Sequence, residues 1–215
     1  YDETIAEEEI SFVTPESIES IMNPGKGHYL YALAGEYLID AYGDPGMDEI
    51  TIALDYTEQE LINTQGLNFL GNPYPSTLSA ANQEGWARNN VAAAVYEWDS
   101  NSNLFNAYVK GIGVNGADGR IQIMDAFWMK AMGPDASIAI NENAKLVDTA
   151  VETSVNNLIR ASISDDFNTD EIAFAINDEC TVNFDQEWDA QKFFSNAVGA
   201  EIAWSTDDLP LAIQR

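Results

Sequence analysis

Apolar residues fall in short runs separated by stretches rich in Gly, Pro, Asn, Asp and Ser. Residues 49–56 alternate apolar and polar with period two, the pattern of a strand with one buried face. The same reading gives strands at 28–32, after the Pro- and Gly-rich turn 23–27, and at 67–70, which runs into the proline-interrupted 71–76. A hairpin is predicted from 94–98 and 105–109 across the polar turn 99–104. Past a further turn at 113–119, strands are expected at 126–130, 137–140, 171–176, 201–205 and, more weakly, 209–213.

Helical signals are few. Residues 79–90 accommodate a turn or two, and 185–196 predict a short helix with Trp188, Phe193 and Phe194 on one face. Many short strands between regularly spaced turns define the fold class: all-β, a β-sandwich or jelly roll with one or two short helices. Residues 61–215 read as the main sandwich domain. Residues 1–60 are either the end of a preceding β unit or the N-terminal strands of the same sandwich. Residues 26–32 echo 125–131 about 100 residues later, as two related sandwich units would.

Charge changes the picture of partners. Nine basic residues stand against 36 acidic ones, a formal net charge of −27. Such a field repels nucleic acid and anionic lipid, favours cations and maintains solubility. An apolar fraction of 46% with 11% aromatics argues for a packed core rather than an acidic disordered tail. No apolar run reaches the roughly 18 residues of a spanning helix, so membrane insertion is not expected. The chain starts at Tyr1 without a Met or a signal segment, as a processed or cut product would.

Candidate chemistry is thin. Cys180 is the single cysteine and sits among carboxylates that disfavour a thiolate; His28 is the single histidine and would act alone in any triad or metal site. No nucleophile elbow, zinc-binding helix or phosphate-binding glycine loop is present, so the chain is expected not to be an enzyme. With 36 acids, a pair of carboxylates spaced as in glycosidases remains the one route to hydrolysis.

Two oxygen-rich clusters are the calcium candidates, and calcium is the only cofactor considered. The first, Asp99, Asn101 and Asn103, begins like an EF-hand loop but has Leu104 where that loop needs Gly and Lys110 where it needs Glu. The second comprises Asp165, Asp166 and Asp170, with Asn168 between them. The five tryptophans, Trp86, Trp98, Trp128, Trp188 and Trp204, are candidate sugar-stacking platforms, although tryptophan at strand spacing is usually core.

At 67–76 the sequence LNFLGNPYPS resembles the W-N-L-x-G-N-P-Y-P-S segment of surface proteins exported by Bacteroidota through the type IX secretion system. Further blocks agree in order: MNPGKGHY (22–29), YEWD (96–99), IQIMDAFWMKA (121–131), TDEIAF (169–174), CTVNFDQEWDAQK (180–192) and LAIQ (211–214). The resemblance implies a β-sandwich module of a modular protein at the cell surface or outside the cell. Its sorting domain would lie downstream of Arg215 or have been removed. No catalytic residue is carried over.

Read physically, the shared motifs are structural. Gly71, Asn72, Pro73, Tyr74 and Pro75 make a sharp corner, where a cis proline is an option, and Asp185 and Asp189 form a corner in which carboxylates bind backbone donors. The expected function is therefore a non-catalytic structural or adhesive module whose partners are other surface modules, copies of itself or glycans. The alternative is a carbohydrate-binding module of a secreted hydrolase.

Overall fold

A computed structural model describes residues 1–2, 12–17, 19–30, 35–36, 38, 43–58, 65–146, 155, 157–195, 198–206 and 209–215. In chain order these form β1 (Ile50–Ala53), β2 (Leu67–Gly71), β3 (Leu78–Ser79), β4 (Trp86–Asn89), β5 (Val95–Asp99) and β6 (Leu104–Val109). They continue with β7 (Ile112–Val114), β8 (Arg120–Ile121), β9 (Ala126–Lys130), β10 (Ser137–Ile140) and β11 (Leu158–Ser164). The series closes with β12 (Thr169–Ala175), β13 (Ala190–Gln191), β14 (Trp204–Thr206) and β15 (Leu209–Gln214).

The protein is nearly all β, as the alternation predicts, and sandwich-like. Helix among the described residues is limited to two 3-10 turns, Gln83–Gly85 and Glu142–Ala144. Among the described residues, no helix is long and apolar enough to cross a membrane.

The central sheet runs β2-β9-β5-β6-β7. Against one face lie the sheet β1-β10-β4 and the small pair β3-β8; against the other lies β11-β12-β15-β13, with β14 on β15. Alternate side chains of β2, β9, β5 and β6 therefore enter different cores, while β7 sends Ile112 and Val114 into one. Leu70, Val95, Tyr108, Phe127 and Met129 pack with Ile52, Leu78, Trp86, Ile138 and Ile140. Phe69, Tyr96, Ala107, Val109 and Trp128 pack with Ala173, Ala175, Phe193 and Ile213. This double burial is why 126–129 reads as an unbroken apolar run, whereas β1, with one solvent face, alternates.

Turn chemistry sets the edges. Lys110 and Gly111, with φ of 41° and 91°, make a two-residue hairpin loop that pairs Val109 with Ile112. The PGKG turn closes the free edge of β2: Gly27 N–H donates to Phe69 O and Gly71 N–H to Gly25 O, each at 3.0 Å. Gly27 is required there because a Cβ would stand 2.5 Å from the Phe69 ring.

Several segments depart from expectation. His28, Tyr29 and Leu30 carry no strand, and Tyr31 and Ala32 lie outside the described residues, so the echo of 125–131 has no structural counterpart among those described. The helix expected at 185–196 is a turn at 186–188 followed by β13, with Asn196 outside the described residues. Its aromatic positions serve sheet packing instead: Phe193 meets Tyr96 at 4.5 Å. Residues 86–89, placed in a helical stretch by sequence, pair with β10 as β4. The 113–119 turn begins inside β7, and 158–164, predicted as nothing, is β11.

Truncating Phe127, which is fully buried, to Ala should destabilise the fold by about 3–5 kcal/mol. Urea denaturation should show a lower midpoint at unchanged slope.

Candidate functional site

The GNPYPS corner is held by its polar side chains. The Asn72 amide nitrogen reaches the carbonyls of Ser76 and Gln122 at 2.9 Å and Ile121 at 3.2 Å, while its oxygen accepts from Tyr74 N–H at 2.9 Å. The Tyr74 hydroxyl lies 2.6 Å from Asp48 O and 2.7 Å from Ile140 O, sharing one proton between them. This ties the corner to the β10 end of the outer sheet. No peptide bond among the described residues is cis, so Pro73 and Pro75 make the corner with trans bonds.

The second corner is built on carboxylates. Asp189 is fully buried; it accepts from Asp185 N–H at 2.8 Å and from Arg215 N–H at 2.7 Å. Asp185 in turn accepts from Glu187 N–H at 2.9 Å. Burial raises the Asp189 carboxyl above its usual range, against the pull of those backbone donors. Lys110 stands 3.9 Å above the Trp188 ring and forms an ion pair with Glu187 at 3.2 Å.

The first oxygen-rich cluster is a hairpin turn. Asp99 accepts from Asn101 N–H at 2.9 Å and Ser102 Oγ at 2.8 Å, and Asn103 adopts a left-handed φ of 54°. These bonds, the Asn101 N–H first, hold the Asp99 carboxyl below its usual range.

The second cluster divides its work. Asp165 accepts from the N–H groups of Phe167 at 2.8 Å, Asn168 at 3.0 Å and Ala200 at 2.6 Å, while Asp166 is exposed. Asp170 is fully buried, pairs with Lys192 at 2.5 and 2.7 Å, and accepts from Asn115 Nδ2 at 2.9 Å and Ile202 N–H at 2.8 Å. Asp165 and Asp170 thus both anchor the 200–202 segment. Among the described residues, no three His, Cys, Asp or Glu side chains are grouped to hold a metal ion.

The tryptophans do not form a platform. Trp86 and Trp128 are buried, Trp188 is half-buried beneath Lys110 and Arg215, and Trp204 is half-buried and donates to Ala173 O at 3.0 Å. Trp98 is exposed and meets Phe105 edge-on at 5.0 Å. His28 is exposed; the half-buried Cys180 thiol is raised by burial and by the nearby carboxylates of Asp185 and Asp189.

Three polar groups stand out that the sequence reading did not single out. Lys192 is buried against Asp170, with Glu201 at 4.0 Å. Lys130 is buried with its Nζ 2.6 Å from Gln191 Oε1, and burial lowers it to about 8. Glu97 on β5 is raised to about 7 by burial first, then by Asp125 and Asp118. Lys130 and Lys192 fall within the aligned blocks, but burial of a lysine has no local sequence signal; it follows from the second sheet covering the first.

Comparison with family models, curated proteins and solved structures returned no match.

Two outcomes follow from these geometries. Asn72→Ala removes four contacts from a half-buried corner and should cost about 2–4 kcal/mol, read from urea denaturation. Glu97 holds its proton more tightly folded than unfolded, so its contribution to stability is present below the ordinary carboxyl range and is lost as pH rises towards about 7. Glu97→Gln should therefore stabilise the protein at pH 8 by about 1–2 kcal/mol, after allowance for partial exposure, and leave it little changed near pH 4. Thermal unfolding of both proteins across that range checks the sign.

Proposed function

We propose that the chain is a non-catalytic structural or adhesive module of a bacterial protein exported to the cell surface or beyond it. The observation that carries this reading is where the motif side chains go. Asn72, Tyr74, Asp185 and Asp189 turn towards backbone groups and brace corners. A hollow of about 450 Å³ lined by Asn157, Ile176, Asp178 and Arg215 among others is an open surface feature.

The acidic exterior suits such a module. All nine basic residues engage partners within the fold, from Lys26 with Asp55 to Arg215 with Lys110 O. The surplus of acids, a net charge of −27, keeps copies apart in dilute salt. β11 is the natural contact edge: among the described residues it pairs on one side only, with β12, and it exposes Ile159 and Ile163. Cations that screen the charge would let such edges meet.

The carbohydrate-binding alternative rests on Trp98, a single exposed ring with an aromatic neighbour. Sedimentation of the purified protein with calcium and then with EDTA separates these readings. Calcium-dependent assembly reversed by EDTA supports a scaffold. A monomer in both conditions that binds glycans on an array, and loses that binding in Trp98→Ala, supports the alternative.

A further inference from the structure

The Asp170–Lys192 pair is more than a buried ion pair in its setting. Asp170 lies on β12 and Lys192 directly follows β13, the two strands that flank β15. Lys192 N–H donates to Pro210 O of β15 at 2.8 Å, so its side chain crosses that strand to reach Asp170. Both side chains are withdrawn from water, at 2% and 0% exposure, and Nζ touches both carboxyl oxygens at 2.5 and 2.7 Å. Such chelation sets the nitrogen close to the carboxyl carbon. A third group, Glu201, places Oε2 4.0 Å from the same nitrogen and is 10% exposed, on the solvent side of the pair. Glu201 is fixed by Ser195, whose N–H and Oγ donate to it at 3.1 and 2.9 Å.

We propose that Lys192 and Asp170 join in a self-formed isopeptide bond, with Glu201 as the proton shuttle. Transfer of one proton from ammonium to carboxylate gives an amine facing a carboxylic acid. Lys192 Nζ attacks Asp170 Cγ, forming the C–N bond. Glu201 takes the proton released from nitrogen and returns it to the departing Asp170 oxygen, which leaves as water as the C–O bond breaks. Glu201 ends as it began, and one amide and one water replace one amine and one acid. Whichever oxygen stays meets a donor: Asn115 Nδ2 on Oδ1 at 2.9 Å, or Ile202 N–H on Oδ2 at 2.8 Å.

Amide formation from an acid and an amine is unfavourable between free molecules in water. Fixed contact of the reacting atoms supplies a high effective concentration, and exclusion of water removes the reverse reactant. The bond would clamp β12 to β13 over β15 and close a loop between positions 22 residues apart. It rests on this cluster alone and is independent of where the protein works.

Intact-mass measurement of the purified, denatured protein tests the bond. The expected mass is one water below that of the sequence, with a proteolytic fragment in which the Asp170 and Lys192 peptides are joined. Lys192→Arg and Glu201→Gln should both show the full sequence mass, and Glu201→Gln should unfold about 10 °C lower if the cross-link contributes as a loop closure of this size does. A full-mass wild type leaves a simple buried ion pair and overturns the proposal. So does loss of ammonia, which would place a bond at Gln191, or loss of water without a joined fragment, which would mark a succinimide. A joined fragment that persists in Glu201→Gln overturns the assigned shuttle.

Discussion

Burial of both faces of the β2-β9-β5-β6-β7 sheet organises the molecule. On β9, Phe127 and Met129 enter one core while Trp128 enters the other, so a single strand transmits packing to both outer layers. A sheet buried on both sides must satisfy every polar group within the protein. That requirement reaches the side chains: Lys130, on the same strand, finds Gln191 of β13. Tyr96, on the neighbouring strand, accepts the Gln191 N–H at 2.8 Å. The contact between central sheet and β13 is thus both apolar and hydrogen-bonded, which fixes one arrangement of the layers.

The corners follow from the same constraint. Loops entering and leaving a doubly covered sheet have little solvent to satisfy them, and short polar side chains take its place. Asn72 gathers carbonyls from the segment 76 and from 121–122, which are distant in sequence. Asp189 joins the 185–189 turn to the end of β15 through Arg215 N–H. Asp165 and Asp170 hold the 200–202 segment against β12. Among the described residues, some acids bind backbone donors or a buried cation, as Asp165, Asp170 and Asp189 do, while others such as Asp166 stand exposed.

The reading as an exported scaffold and the proposed isopeptide bond come from separate features. The first rests on the order of the resembling blocks, on the structural use of their polar side chains and on the edge that β11 presents among the described residues. The second rests on three side chains in contact. A covalent clamp across β15 would resist unfolding under load, which is useful to a surface module, but either can hold without the other.

The sequence by itself determined the strand-rich class, the 95–109 hairpin, the Asp99 turn and the β9, β10 and β12 strands, because period-two alternation and turn chemistry are local. It also made the GNPYPS and Asp185–Asp189 corners legible as structure, since their residue types bind nearby backbone. Local pattern failed at 86–89, where a helical turn was read and pairing with 137–140 imposed a strand, and at 185–196, where aromatic spacing suited a helix but 190–191 pair with 209–214. β11 went unread as well, although Ile159, Ala161 and Ile163 alternate with Arg160, Ser162 and Ser164; no residue of this strand is fully buried, so its alternation marks no core face. The contact of Asp170, Lys192 and Glu201 was decided by tertiary structure alone. Their separation in sequence hides it, and only the ordering of β12, β15 and β13 brings a lysine, an aspartate and a glutamate to one shielded point.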